Sequence, residues 1–250
     1  MTQRHLLVIG IGAGDPDQLT IEAVKALGRL DVAILVDKGD EKRELTDLRR
    51  DLLKQFAAQA RVVMVDDPER DRAARAYPEA VDQWRRQRAA AFGELIRDQL
   101  TENQTGGFLV WGDPALFDST IGILDDIDGV DFSYAVIPGI SSVSALAARH
   151  RIGLNRVGRA VQITTGRRLA AHGIPDGVDD LVVMLDARNA YQQVDGDVDI
   201  YWGAYLGTPD EILRSGKLTD TKAEIDALRA AARARKGWIM DTYLLRRRDQ

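Results

Sequence analysis

The residue types that could carry chemistry in this chain are few and widely spaced. Histidine occurs at His5, His150 and His172 only, and cysteine not at all. No two histidines have the spacing of metal ligands, and thiolate sites, disulfides and a cysteine nucleophile are excluded, so no metal is expected. Neither a Gly-x-Ser-x-Gly elbow nor a Gly-x-x-x-x-Gly-Lys-Ser/Thr phosphate loop occurs. What recurs is glycine plus one polar group where an apolar run stops. Phe108 to Trp111 ends in Gly112-Asp113-Pro114, and Phe132 to Ile137 ends in Pro138-Gly139-Ile140-Ser141-Ser142. A third run, Leu181 to Leu185, ends at Asp186. Buried parallel strands hand their carboxyl ends to a ligand in this manner. Gly112 is expected to admit a ligand close to the backbone, with Pro114 stiffening the turn and Asp113 offering a charge. Such loops suit binding and positioning rather than a proton relay.

The elements that must carry these loops alternate. Leu6 to Ile9 reads as a short buried strand, and Ile21, Val24, Leu27 and Leu30 repeat at helical spacing. Asp31 to Asp37 and Arg61 to Val65 are further strands. The charged segment from Lys38 to Arg50 alternates in sign and is expected to be a solvated face running into a helix through Leu52, Leu53 and Phe56. Asp66 to Arg75 is expected as a polar loop. The longest helical pattern runs from Glu79 to Thr105, with Arg85, Arg86 and Arg88 beside Trp84 on a face expected to be solvated or to anchor an anion. Helices are expected from Phe117 to Leu124 and after Ser141-Ser142, which supply caps. The second half holds more strands than helices: Val161 to Thr165, Leu181 to Leu185, Ile200 to Leu206 and Trp238 to Leu245. Gly207-Thr208-Pro209-Asp210-Glu211 is expected to open a helix. The expectation is therefore an α/β protein of two domains, residues 1–157 and 158–250, the first with a mainly parallel sheet and the second with a mixed one. A small organic ligand would bind in a cleft between them.

Composition narrows the classes. With 45% hydrophobic and 29% charged residues the 250-residue chain is an ordinary globular protein. Its 34 Lys+Arg against 39 Asp+Glu give a net charge of -5, which disfavours a nucleic-acid partner. No apolar run approaches the roughly 20 residues that span a bilayer, and the first residues pass straight into a strand, so neither membrane nor signal peptide is expected. The cytoplasm is the default. Glycines 10, 12 and 14 after the first strand and Asp37 after the second imitate a dinucleotide fingerprint. Asp15 and Pro16, however, stand where a pyrophosphate would meet a helix N-terminus.

Four motifs occur in order: the glycine-rich loop after the first strand, Gly-Asp-Pro at 112–114, Pro-Gly-Ile-Ser-Ser at 138–142 and Gly-Thr-Pro-Asp-Glu at 207–211. Together, across nearly the whole chain, they resemble the tetrapyrrole methylases, two-domain S-adenosylmethionine-dependent enzymes of corrinoid and sirohaem synthesis. Further segments are similar to the branch that methylates a precorrin carbon and expels its acetyl group. These are Trp111 to Thr120, Ala148-Arg149-His150 with Asn155, Thr164 to Leu169, Val183 to Asp186, Tyr201 to Leu206 and Gly237 to Tyr243. The resemblance implies a methyl donor held largely by main chain at Ala13, Trp111, Gly112, Asp113, Ser141, Ser142, Leu185 and Leu206, with S-adenosylhomocysteine as product. Relatives often carry Pro where Ala13 stands and Met where Leu185 stands. It also implies a tetrapyrrole substrate and a homodimer.

Methyl transfer to an electron-rich carbon needs alignment more than a base. Acetyl loss requires water to attack a carbonyl, for which His150, Asp113, Asp186 and Tyr205 are the candidates. Arg167 and Arg168 are candidates for substrate carboxylates, which guanidinium forks match bidentately. Rival classes are a methylase of the same family acting on another precorrin or on diphthine, a nicotinamide oxidoreductase, and a catalytically silent tetrapyrrole-binding protein.

Overall fold

A computed structural model describes residues 3–37, 43–66 and 77–248. The chain forms two compact units, Met1–Gly12 with Pro16–Ile140, and Ala13–Asp15 with Ser141–Gln250. The expected polar loop from Asp66 to Arg75 and the start of the charged segment lie largely outside the described residues.

The first unit runs β1 (Arg4–Gly10), α1 (Ile21–Leu27), β2 (Val32–Asp37), α2 (Arg43–Phe56), β3 (Arg61–Asp66), α3 (Tyr77–Gln99), β4 (Thr105–Val110), α4 (Thr120–Asp125) and β5 (Phe132–Ile137). Its sheet has the order β3-β2-β4-β1-β5, and every pairing is parallel. α1 and α2 pack on one face through Leu27 and Leu53 against Ile9 and Leu35. α3 and α4 pack on the other through Phe92 and Ile123 against Val8, Ile34 and Val110. With both faces covered, β1 is a continuous apolar run rather than an alternating one. Gly106 and Gly107 open β4 because large side chains need the space: a Cβ on Gly107 would lie 2.6 Å from Leu30 Cδ2. Fully burying a leucine contributes about 1.5–3 kcal/mol. The connections that follow β1 and β4 leave in opposite directions, the arrangement at which open α/β sheets place ligands.

The second unit holds α5 (Ser142–His150), β6 (Val161–Thr165), α6 (Gly166–His172), β7 (Asp180–Met184), β8 (Val198–Ala204), β9 (Ile212–Lys217), α7 (Leu218–Lys236) and β10 (Asp241–Arg247). The sheet order is β6-β7-β10-β8-β9, with only β6 and β7 parallel, so the sheet is mixed as expected. α6 and α7 cover one face, where Leu169 and Ile225 pack with Trp202 and Tyr243. α5 lies on the other, where a Cβ on Gly203 would be 2.9 Å from Leu146 Cδ1. The domain division expected after residue 157 falls in the segment between α5 and β6, whereas the compact units part between Ile140 and Ser141.

Some elements differ from expectation: α3 stops at Gln99, although the helical pattern runs on to Thr105, and α6 forms where no helix is expected. Gly207 to Glu211 leads into β9, not a helix. Glu211, which could have favoured a helix start, instead accepts the Gly207 N–H at 2.8 Å and an Arg149 Nε–H at 3.0 Å, closing a turn.

Candidate functional site

In the first unit the loops leaving β1 and β4 are bonded to each other by main chain, and the β5 loop packs against both. Ile11 N–H donates to Val110 O at 2.9 Å, Gly112 N–H to Gly12 O at 2.7 Å, and Gly12 N–H to Gly112 O at 3.3 Å. A Cβ on Gly10 would lie 2.5 Å from Gly139 N. Glycine is thus required here for backbone against backbone. Gly112 itself has φ +72°, and its amide and carbonyl are both taken by Gly12, which revises the expectation that it chiefly admits a ligand. Asp113 is likewise occupied. Its Oδ2 accepts Gly139 N–H at 2.9 Å and its Oδ1 accepts Ala115 N–H at 2.8 Å, so the carboxylate clamps two strand exits together.

Trp111 is half-buried beside the α1–α2 core, and its buried Nε1 has no hydrogen-bond partner among the described residues. Arg49 of α2 lies 5.9 Å from the Trp111 ring and donates from Nε to Leu109 O at 2.9 Å. Burial lowers its pKa to about 10, opposed by the charge of Asp118. This residue sits in the charged segment expected to be solvated, and nothing in the alternation of signs marks it. The α3 arginines are also partly structural. Arg85 bonds Gly122 O and Asp126, and buried Arg88 bonds Ser119 Oγ at 3.1 Å, tying α3 to α4.

In the second unit, the segment Ala13–Asp15 lies against the turn after β8. A Cβ on Gly14 would be 2.8 Å from Leu206 O, and Arg149 stands between Asp15 (3.9 Å) and Glu211. α1 begins only at Ile21, capped by Thr20, so the glycine loop does not open directly onto a helix N-terminus as dinucleotide binding requires. Ser141 caps α5, its Oγ accepting Ser144 N–H at 3.1 Å, and Ser142 Oγ lies 3.2 Å from Thr242 Oγ1. Ala13 and Leu206 are buried. Leu185 is the exception: it follows β7 with φ +54° and is 65% exposed. A leucine in the left-handed region at a strand exit is strained, and strain of this kind concentrates at ligand sites.

The expected acid–base candidates are held by internal bonds. Asp186 is buried, its Oδ1 accepting Arg188 N–H at 3.0 Å and its Oδ2 accepting Ala190 N–H and the Tyr243 hydroxyl, each at 2.7 Å. Buried Tyr205 has φ +50° and donates its hydroxyl to Trp238 O at 2.6 Å. His150 donates from Nε2 to Trp202 O at 3.0 Å. Because a carbonyl only accepts, that bond places the proton on Nε2 and leaves Nδ1 with a lone pair. Burial lowers the His150 pKa, against the Trp202 bond and Glu211, so the ring is neutral at neutral pH. His150 ends α5, eight residues from Ser142, a separation of about 12 Å along the helix. Arg167 and Arg168 are exposed in the first turn of α6, whose cap Thr165 accepts Arg168 N–H at 3.5 Å. Gly166 before them packs on Asp186. Among the described residues no group of three His, Asp or Glu could hold a metal ion, and no helix is long and apolar enough to cross a membrane.

Comparison with known proteins gives concordant results. The model of the tetrapyrrole (corrin/porphyrin) methylases matches residues 5–222. A Sinorhizobium protein named precorrin-6A synthase [deacetylating] is 47% identical over 98% of this chain and 95% of its own length. The crystal structure of a cobalamin synthesis related protein (CobF) from Corynebacterium diphtheriae is 36% identical with a TM-score of 0.82, covering 99% of this chain and 100% of that one. The uroporphyrin-III C-methyltransferase of Thermus thermophilus, solved with S-adenosyl homocysteine, is 18% identical with a TM-score of 0.58, covering 96% of this chain and 91% of that one. That last likeness concerns the fold alone.

Proposed function

We propose that this chain, which belongs to the tetrapyrrole (corrin/porphyrin) methylases, is an S-adenosylmethionine-dependent C-methyltransferase of corrin synthesis. It methylates precorrin-5 at C-1 and releases the acetyl group as acetate, giving precorrin-6A. The observation that carries the reading is the 47% identity, over nearly the full chain, to a relative whose name states that deacetylating synthesis.

S-adenosylmethionine supplies an electrophilic methyl group and departs as S-adenosylhomocysteine. The residues fit such a donor: Leu185 offers an exposed apolar side chain on a strained turn. Ala13, Trp111, Gly112, Asp113, Ser141, Ser142 and Leu206 are the further donor contacts that the family likeness implies. Their work is alignment, which contributes on the order of 7–11 kcal/mol when the reacting atoms are well placed. Arg167 and Arg168 are assigned to substrate carboxylates.

Once C-1 carries both methyl and acetyl groups it has no proton to lose. Water therefore adds to the acetyl carbonyl, the carbon–carbon bond breaks with its electron pair passing to the conjugated macrocycle, and acetate leaves. Asp113, Asp186 and Tyr205, bonded internally, act by fixing the turns that present their neighbours. His150 keeps the lone pair of Nδ1, but its place at the far end of α5 supports tethering that helix to β8. The geometry thus favours a site that binds and orients while the macrocycle drives the electron flow.

The working form on this reading is a cytoplasmic homodimer, an inference from family likeness that sedimentation equilibrium at micromolar concentration would test. The activity is tested by incubating the purified chain with precorrin-5 and S-adenosylmethionine and weighing the product. A gain of one methyl with loss of one acetyl supports the proposal. A methylated product that keeps its acetyl group assigns the chain to another precorrin methylase.

A further inference from the structure

Beneath the proposed donor contacts of the second unit lies a buried ion pair that the sequence did not mark. Arg229 of α7 and Asp241 at the start of β10 are 5% and 8% exposed. Arg229 Nη1 bonds Asp241 Oδ2, which also accepts Trp202 Nε1–H at 2.6 Å. Arg229 Nη2 donates to Asp186 O at 2.7 Å. One guanidinium therefore spans the Asp186 carbonyl and the Asp241 carboxylate. One turn earlier on α7, Asp226 accepts from Asn189 Nδ2 and the Tyr191 hydroxyl, each at 2.6 Å, and from Gln192 Nε2. Positions 226 and 229 share a helix face. They grip both ends of the segment 186–192, which includes a second left-handed residue, Asn189, at φ +55°.

From this pair three donor-contact candidates are each a short step away. Leu185 precedes Asp186, whose carbonyl Arg229 holds and whose carboxylate Tyr243 holds. Ser142 Oγ meets Thr242, the residue after Asp241. Leu206 follows Tyr205, whose N–H donates to Met240 O at 2.9 Å, just before Asp241. Burying a charged pair is a weak source of stability, because desolvation offsets most of the attraction. A forked, fully bonded guanidinium is instead well suited to fixing geometry.

We propose that Arg229, with Asp241 and Tyr243, is a positioning residue for methyl-donor binding: it fixes the Leu185–Asp186 turn and the start of β10 so that Leu185, Ser142 and Leu206 present a preformed surface. The inference rests on the donor contacts assigned above. Lysine at 229 keeps the charge for Asp241 but cannot reach the Asp186 carbonyl at the same time. Phenylalanine at 243 removes only the hydroxyl on Asp186.

The test is calorimetric binding of S-adenosylhomocysteine to wild type, Arg229→Lys and Tyr243→Phe. It is paired with thermal unfolding, the precorrin KM and the methyl NMR signals of Leu185. The expected result is a Kd raised about tenfold in Arg229→Lys, a smaller rise in Tyr243→Phe, shifted Leu185 signals and an unchanged precorrin KM in both. Wild-type affinity in a folded Arg229→Lys overturns the proposal. If that variant does not fold, Tyr243→Phe decides: weakened binding supports the role and wild-type binding overturns it. A wild-type protein that binds no S-adenosylhomocysteine would instead overturn the donor reading on which the proposal stands.

Discussion

Replacing Gly139 with alanine should loosen the three strand exits of the first unit together. A Cβ at that position would press on Gly112 O and sit 2.8 Å from both C and Cα of Gly10. All three atoms are backbone, and Gly112 is pinned by its 2.7 Å bond to Gly12 O. Overpacking without a flexible neighbour to yield costs about 1–3 kcal/mol. If the β5 loop withdraws instead, the Gly139 N–H bond to the Asp113 carboxylate is lost, and a bond to a charged group contributes about 1.5–3 kcal/mol. Either way the expected loss is about 1–3 kcal/mol, a sizeable share of a total stability of about 5–15 kcal/mol. Gly28→Ala is the control, since a Cβ there meets nothing closer than 3.7 Å. Two units need not unfold together, so urea denaturation should be read with hydrogen exchange over residues 4–12 and 105–115. A loss below about 1 kcal/mol with unchanged exchange there would refute the idea that backbone contact among Gly10, Gly112 and Gly139 sets this loop cluster.

Asp241 supplies a pH signature. Burial raises its pKa to about 6, against the charge of Arg229 and the Trp202 bond, with Asp186 adding to the rise. A raised acid stabilises the fold below its unfolded pKa of about 4 and loses that contribution as pH rises through about 6. Relative to Asp241→Asn, wild-type stability should therefore fall by roughly 3 kcal/mol between about pH 4 and pH 7; a flat difference in unfolding free energy would contradict this. Tyr205→Phe removes the bond to Trp238 O and should cost about 1–2 kcal/mol in denaturation while leaving the ratio of acetate released to methyl transferred unchanged; an altered ratio would restore a catalytic hydroxyl. Arg167→Ala or Arg168→Ala should raise the precorrin KM about tenfold, equivalent to losing a bond to a charged group, with S-adenosylhomocysteine affinity unchanged by calorimetry; equal loss of both affinities would point elsewhere.

Local pattern made the parallel strands legible, because Leu6 to Ile9 and Phe108 to Val110 are apolar on both faces and stop at glycine. The mixed second sheet was legible from the excess of strands over helices there. The work of individual loop residues was not. Gly10, Gly112 and Gly139 are distant in sequence, and only the fold reveals that each makes room for the others' backbone. Asp113, Asp186 and Tyr205 read as chemistry because their types allow it, yet their oxygens are committed to amides, a hydroxyl or a carbonyl that spacing cannot foresee. Arg229 belongs to an Arg/Ala-rich helix whose composition suggests a wet surface, and Arg49 to a charged segment. Both turn inward onto partners 12 to 60 residues away, Asp241 and Leu109. Gly207 to Glu211 reads as a turn opening a helix, but Glu211 is claimed by its tertiary partner Arg149 and the chain enters β9.

The central claim is that one methyl enters the macrocycle as one acetate leaves. A single turnover with methyl-labelled S-adenosylmethionine and precorrin-5, the enzyme in excess, tests it most directly. The account predicts label in the tetrapyrrole and free acetate in equal amounts. Label without acetate, or no transfer from precorrin-5 by a folded protein that binds the donor, would contradict it.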